Sequence, residues 1–88
     1  MKVHNSHPEI IARLKRAEGH LRKVILMMEQ GRKCHELAQQ LHAVENSIVN
    51  AKRELILEHL DHCLDETFVN HEEAGDLKDE FKSIVRYL

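Results

Sequence analysis

The segment "LAQQLHAVENSIVNAKRELIL", residues 37–57, decides the fold of this chain. Its apolar side chains recur at spacings of four, three, four, three and four residues, at Leu37, Leu41, Val44, Ile48, Ala51 and Leu55. This repeat is typical of a helix that packs along another helix. No glycine or proline interrupts residues 32–74, so the pattern predicts one long helix from about Lys33 to about Glu66.

A second copy of the same repeat lies upstream. Its apolar positions are Ile10, Leu14, Ala17, Leu21, Val24 and Met28. Ser6 is a suitable N-cap for this first helix, and Gly31 is a suitable residue to end it. Gly19 lies inside the predicted helix, where glycine is less favourable than alanine by about 1 kcal/mol. We expect a close approach of another helix to compensate for it.

The rest of the chain predicts a short third helix and nothing else. Gly75 interrupts the pattern, and Leu77, Phe81, Ile84 and Leu88 follow at helical spacing. No alternating strand pattern occurs, so the fold class is all-α, with residues 1–88 as a single domain. The first two helices would be roughly 36 and 50 Å long. The longer helix would leave apolar surface uncovered, which predicts an oligomer.

The composition indicates in which cellular compartment the protein acts and which class of partner it could bind. Two cysteines and a polar opening segment, Met1 to Glu9, predict free thiols in the cytoplasm. No apolar run is long enough to span a membrane. Residues 1–33 carry eight Lys and Arg against three acids, whereas residues 58–80 carry nine acids against one Lys. The basic part fits either a solvated face or a surface for a polyanion.

Three side chains suggest a metal site that one chain cannot complete. His59 and Cys63 are four residues apart and therefore lie on one helical face. Cys34 precedes them by 25 and 29 residues, which corresponds to about 38 and 44 Å along a straight helix. An antiparallel second copy, with its two-fold axis near Ser47 and Ile48, would bring Cys34 to the other chain's pair. Ordinary packing of a small cysteine is the alternative explanation.

A basic stripe runs beside the apolar repeat of the first helix. It consists of Arg13, Arg16, His20 and Lys23, and Lys15, Lys52 and Arg53 can widen it. Such a stripe would mainly contact DNA phosphates, with salt-dependent affinity. An ordinary solvated face explains it equally well. Neither a helix-turn-helix signature nor zinc-finger spacing is present.

Two stretches carry a family resemblance. "RLKRAEGHLRKVILMMEQGRKC" (13–34) and "QQLHAVENSIVNAKRELILEHLDHC" (39–63) resemble the CsoR/RcnR/FrmR repressors, which sense copper, nickel and cobalt, or formaldehyde in bacteria. The likeness extends over roughly residues 7–88. It implies an all-helical dimer of dimers (a homotetramer) that binds operator DNA when apo and leaves it when the inducer binds. In the copper-sensing branch, a Cys of one protomer joins a His and a Cys of another, which here are Cys34, His59 and Cys63.

The chain also departs from the copper-sensing pattern. Lys33 stands where copper sensors often have Tyr, and Asp79 or Glu80 is nearest to an outer Glu of the third helix. His4 and His7 could act like the N-terminal extra ligand of the nickel and cobalt sensors. Two thiolates and one imidazole favour Cu(I), with Ni(II) or Co(II) second and Zn(II) possible.

Other functions stay open at this point. Cys34 could serve a formaldehyde sensor, and a thiol pair could serve a persulfide sensor. The helical repeat alone also fits a non-enzymatic adaptor or a metal buffer. No nucleophilic triad or glycine-rich phosphate loop occurs, so we predict that the protein is not an enzyme.

Overall fold

The protein consists of three helices along the part of the chain that the structure describes. The computed structural model describes the backbone of residues 7–69 and 74–88 and the side chains of residues 7–61 and 78–88. The helices are α1 (His7–Glu29), α2 (Cys34–Val69) and α3 (Ala74–Val85), and no strand occurs in the described ranges. The predicted all-α protomer with two long helices and a short third one is confirmed.

Two predicted helix boundaries differ from the observed ones. Helix α2 continues to Val69, three residues beyond the predicted end. Helix α3 begins at Ala74, so Gly75 lies inside its first turn instead of separating two elements. A single glycine costs a helix only about 1 kcal/mol, which is too little to break an otherwise amphipathic segment. The predicted cap Ser6 lies outside the described residues.

The turn between α1 and α2 depends on Gly31. Its φ is 73°, the left-handed conformation that glycine adopts without a steric penalty. The Arg32 amide donates to the Met27 carbonyl at 3.1 Å, and the Gly31 amide donates to the Met28 carbonyl at 3.0 Å. This pair of bonds is the Schellman motif, which satisfies two carbonyls at the end of α1. The predicted role of Gly31 is therefore confirmed.

Helices α1 and α2 form an antiparallel hairpin around a narrow apolar core. Arg13 pairs with Glu54 and His20 bonds to Gln40, so the direction of α2 opposes that of α1. The buried side chains come from alternate members of the two repeats, together with two neighbours. They are Ile10, Ala17, Val24 and Met27 of α1 and Leu37, Val44, Ala51 and Ile56 of α2.

Gly19 does not have the close neighbour that its position suggested. A Cβ atom added there would meet nothing within 4 Å outside its own helix. The residue is exposed, because it lies on the outer side of α1, away from α2. Within the protomer, no described helix approaches Gly19 closely enough to compensate for the propensity cost of a helical glycine.

Helix α2 is much longer than its partner in the hairpin. It has 36 residues against 23 in α1, which corresponds to about 54 and 35 Å. Helix α3 contacts α2. His59 of α2 and Glu80 of α3 mark this contact, with 3.7 Å between His59 Nε2 and Glu80 Oε2.

Candidate functional site

One side of the hairpin presents an apolar face that the described part of the protomer leaves exposed. It combines the remaining members of the two repeats, each 39–52% exposed: Leu14, Leu21 and Met28 of α1, and Leu41, Ile48 and Leu55 of α2. Within each helix these residues follow one another at intervals of seven and therefore share a side. In an antiparallel hairpin both sets lie on the same side of the buried core. We call these six residues the apolar face.

Two predicted metal ligands lie in register with this face. Cys34 precedes Leu41 by seven residues, and His59 follows Leu55 by four, so both share the side of α2 that carries the apolar face. Cys34 is the first residue of α2 and has an exposed free thiol. His59 is partly buried, with a side chain 24% exposed. The two ligands thus stand at opposite ends of the exposed apolar surface.

The other predicted ligands are Cys63, His7 and His4. Cys63 belongs to α2, one turn after His59, but its side chain lies outside the described residues. His7 is the first residue of α1 and is partly exposed, whereas His4 lies outside the described residues. Among the described side chains, no three His, Cys, Asp or Glu residues group closely enough to hold a metal ion.

The third helix supplies an acid next to His59. Of the two predicted candidates, Asp79 and Glu80, it is Glu80 whose carboxylate lies 3.7 Å from the His59 imidazole. This contact is an ion pair only when His59 is protonated. An open cleft of about 470 Å³ adjoins these residues and is lined by His59, Asp79, Glu80, Ser83, Ile84 and Tyr87. The imidazole therefore borders both α3 and the end of the apolar face.

The start of α2 is held by an ion pair close to Cys34. Arg32 donates to Glu36 through two nitrogens, from Nη2 to Oε1 at 2.6 Å and from Nε to Oε2 at 3.2 Å. The hydrogen bond from Arg32 lowers the pKa of Glu36, and the same bond raises the pKa of Arg32. Glu36 also lies in the first turn, where a negative charge interacts favourably with the helix dipole. Lys33, in place of the tyrosine of many copper sensors, is exposed.

The opposite side of the hairpin is a polar groove between α1 and α2. Its central cavity, about 290 Å³, is lined by Arg13, Arg16, Ala17 and His20 of α1 and by Ser47 and Asn50 of α2. Arg13 Nη2 lies 2.8 Å from Glu54 Oε1, and His20 Nε2 lies 2.7 Å from Gln40 Oε1. The carboxamide oxygen accepts, so His20 donates from Nε2. We call this surface, with its two contacts to Glu54 and Gln40, the polar groove.

The predicted DNA-binding residues divide between this groove and its surroundings. Arg13 and His20 are half-buried in the groove, and Arg16 is exposed at its edge. Lys23 lines the next cavity along α1, with Gln30 and Arg32. The structure does not bring three other predicted residues into either cavity, although all are exposed: Lys15, Lys52 and Arg53.

The sequence prediction did not include three residues on the α2 side of the groove, Gln40, Ser47 and Glu54. Gln40, Ser47 and Glu54 follow one another at intervals of seven and each immediately precedes an apolar-face residue. On α1, Arg13 and His20 likewise immediately precede Leu14 and Leu21. The heptad register could therefore have identified the α2 wall of the groove, because residues separated by seven positions lie on the same side of a helix.

None of the described helices is long and apolar enough to cross a membrane.

Comparisons with known proteins agree on one family. A family profile described as a metal-sensitive transcriptional repressor matches residues 6–87. The chain is 28% identical, over an alignment 100 positions long, to the copper-sensing transcriptional repressor CsoR of Bacillus subtilis, covering 98% of this chain and 99% of that protein. It is 41% identical to the CsoR of Mycobacterium ulcerans over 51 residues, which cover 58% of this chain and 44% of that protein.

A solved structure has the same fold over the whole chain. It is the nickel-responsive transcriptional regulator InrS, with a TM-score of 0.85 and 26% identity, covering 100% of this chain and 99% of the other. The profile match alone extends over nearly the entire sequence. The predicted resemblance is thereby confirmed, and the chain belongs to the family of metal-sensitive transcriptional repressors.

Proposed function

We propose that this protein is a repressor that binds operator DNA in the apo state and releases it on binding Cu(I). The observation that carries the proposal is the placement of Cys34 and His59 at opposite ends of one exposed apolar face. A folded protein rarely leaves such a surface uncovered, and a second copy is its natural cover. Action on operator DNA implies a cytoplasmic protein, and the family is one of repressors and not of enzymes.

The register of α2 supports an antiparallel dimer with a two-fold axis at Ile48. That axis pairs Leu41 of one copy with Leu55 of the other, because both are seven residues from Ile48. It also sets Cys34 opposite position 62, between His59 and Cys63 of the other copy. Two equivalent sites per dimer follow from the symmetry. Ile11 and Ile25, about half exposed on α1, leave apolar surface for pairing dimers into a tetramer.

The donor set favours Cu(I) among the metals of the family. Two thiolates and one imidazole suit a soft ion of low coordination number, whereas Zn(II) prefers a fourth ligand. Two relatives of this chain, both called CsoR, are copper-sensing transcriptional repressors. Ni(II) or Co(II) is the second candidate, because InrS is nickel-responsive. These ions would recruit further nitrogen ligands, which His4 and His7 near the start of the sequence could supply.

DNA binding is assigned to the basic residues of the polar groove and its surroundings. Arg16 and Lys23 are exposed along α1, and Arg13 and His20 line the groove itself. Lys15, Lys52 and Arg53 would add phosphate contacts outside it. An oligomer repeats this surface, so that several weak phosphate contacts act together.

The test is a gel shift on DNA from upstream of the protein's own gene. The apo protein should retard this DNA, and Cu(I) should release it at lower concentration than Ni(II), Zn(II) or formaldehyde. Cys34→Ala should bind the DNA as the wild type does but should stay bound on addition of Cu(I). His35→Ala is the matched control, since His35 is exposed beside Cys34 and should respond normally.

Each alternative function gives a different outcome. A metal buffer or an adaptor would show no affinity for the upstream DNA. A nickel sensor would release it with Ni(II) first, and a formaldehyde sensor with the aldehyde. Continued release of Cys34→Ala by Cu(I) would show that Cys34 is not a ligand.

A further inference from the structure

We propose that Glu54 limits the affinity for DNA by holding Arg13 away from a phosphate that binds in the polar groove. The inference rests on the proposed DNA binding and adds an acidic residue that opposes it. Glu54 is on α2, across the groove from the basic stripe, and its carboxylate is 2.8 Å from the Arg13 guanidinium. The ligand is a phosphodiester of duplex DNA.

The groove has the donors and the space that a phosphate requires. The cavity of about 290 Å³ is bordered by two guanidinium groups, an imidazole, a hydroxyl and a carboxamide, from Arg13, Arg16, His20, Ser47 and Asn50. No carboxylate lines this cavity among the described residues. Guanidinium groups form strong, charge-assisted bonds to phosphate oxygens, and hydroxyl and amide groups commonly add to such contacts.

Of the two guanidinium groups, that of Arg13 has an anionic partner among the described residues. Its side chain is 33% exposed and that of Glu54 is 39% exposed, so a phosphate can reach the pair. An exposed ion pair of this kind is weak enough to exchange partners. A phosphate that binds Arg13 must displace Glu54 and must also approach its negative charge. Glu54 therefore weakens DNA binding twice, by occupying the donor and by repelling the anion.

His20 contributes to the rigidity of the same surface. Its Nε2 donates to Gln40 at 2.7 Å, which fixes the imidazole across the groove. This bond lies about two turns along α1 from the Arg13–Glu54 pair. Two contacts therefore join the walls of the groove, Arg13 with Glu54 and His20 with Gln40. Of these two, the Arg13 contact is the one that places a carboxylate against a basic side chain. Neutralising Glu54 should free a donor without opening the groove.

The experiment measures operator affinity by fluorescence anisotropy with apo protein over a series of salt concentrations. Glu54→Gln should lower Kd by about two- to fivefold, the range expected for release of an exposed ion pair. The plot of log K against log salt should become steeper, by about 0.9 for each additional phosphate that the protein neutralises. Glu45→Gln removes the same charge from an exposed position of α2 outside the groove and is the control. Circular dichroism establishes that each variant is folded.

A double-mutant cycle distinguishes the mechanism from a general charge effect. If Glu54 acts largely through Arg13, Glu54→Gln should increase the affinity clearly less in an Arg13→Ala background than in the wild type, because only the direct repulsion between Glu54 and the phosphate then remains to be relieved. An equal increase in affinity in both backgrounds, or an increase matched by Glu45→Gln, would overturn the inference. So would an unchanged or higher Kd for Glu54→Gln in a protein whose wild type binds the operator. A wild type without affinity for that DNA would instead overturn the proposed function.

Discussion

Two glycines of the hairpin have opposite requirements, although both are exposed and have room for a methyl group. Gly31 has φ 73°, whereas Gly19 has ordinary helical geometry, and an added Cβ meets nothing within 4 Å at either site. Sterics with neighbours are therefore equal, and only the backbone conformation differs. The pair separates the cost of a left-handed residue from the cost of glycine in a helix.

Alanine at these positions should change stability in opposite directions. Gly19→Ala should raise the free energy of unfolding by about 1 kcal/mol, through helix propensity. Gly31→Ala should lower it by about 1 kcal/mol or more, because L residues are strained at positive φ. Denaturant unfolding at one protein concentration measures both, since an oligomer's stability depends on concentration. A loss of stability in Gly19→Ala would show that this position contacts another copy.

Residue-level prediction from sequence succeeded where local geometry decides and failed where a distant neighbour decides. Gly31 could be assigned because the end of a helix requires a left-handed residue within a few positions of the last apolar side chain. Gly19 could not, because its surroundings depend on where α2 runs. The bond between His20 and Gln40 spans 20 residues, and nothing in either residue's local sequence specifies the other.

At the scale of the helices, the two apolar repeats perform two separate tasks. One set of positions, including Val24 and Val44, is buried between α1 and α2, and the alternate set forms the apolar face. The repeat itself could be read from the sequence, and with it the existence of both long helices. The sequence did not show which half would be buried within the protomer, because both sets are apolar and have the same spacing.

Truncation within the buried set should weaken the hairpin itself. Val24 is 1% exposed and contacts the small core with Met27, Leu37 and Val44. Val24→Ala should lower the free energy of unfolding by about 2 kcal/mol, through lost burial and the cavity that remains. Leu26 lies two residues further along α1, and its side chain is 52% exposed. Leu26→Ala should lower the free energy of unfolding by less than about 0.5 kcal/mol. Equal effects of the two changes in thermal or denaturant unfolding would contradict the observed division of α1.

At the scale of the whole molecule, the proposed inducer and DNA surfaces lie on opposite sides of the same two helices. The apolar face carries Cys34 and His59, while the polar groove carries Arg13 and His20. A metal that bridges two copies would set the angle between their α2 helices. Any coupling to DNA must then pass through the packing of α1 on α2, and linkage makes it equal in both directions.

The proposed metal site also marks the limit of prediction from the sequence at this scale. Sequence spacing showed that Cys34 and His59 cannot meet within one straight helix, and the continuous α2 confirms that they are on the same helix. The identity of the metal depends on the full donor set and its geometry, which only an assembled oligomer defines. Spacing along one chain contains no information about the angle at which two chains cross.

The two-fold axis proposed at Ile48 gives the most direct test of the assembly. Ile48 is 47% exposed in the protomer, and the axis would place two copies of it against each other. Ile48→Asp would then bury two carboxylates in an apolar contact and should raise the dimer dissociation constant by at least about tenfold. Analytical ultracentrifugation measures this change.

Asn46→Asp adds the same charge only two residues away and is the matched control. Asn46 is exposed and lies on the other side of α2 from the apolar face, since two residues correspond to about 200° around a helix. This variant should sediment as the wild type does. Ile48→Asp should also lose tight stoichiometric Cu(I) binding, because separation of the copies removes Cys34 from the other chain's His59 and Cys63. An Ile48→Asp protein that stays dimeric and binds Cu(I) normally would place the axis elsewhere.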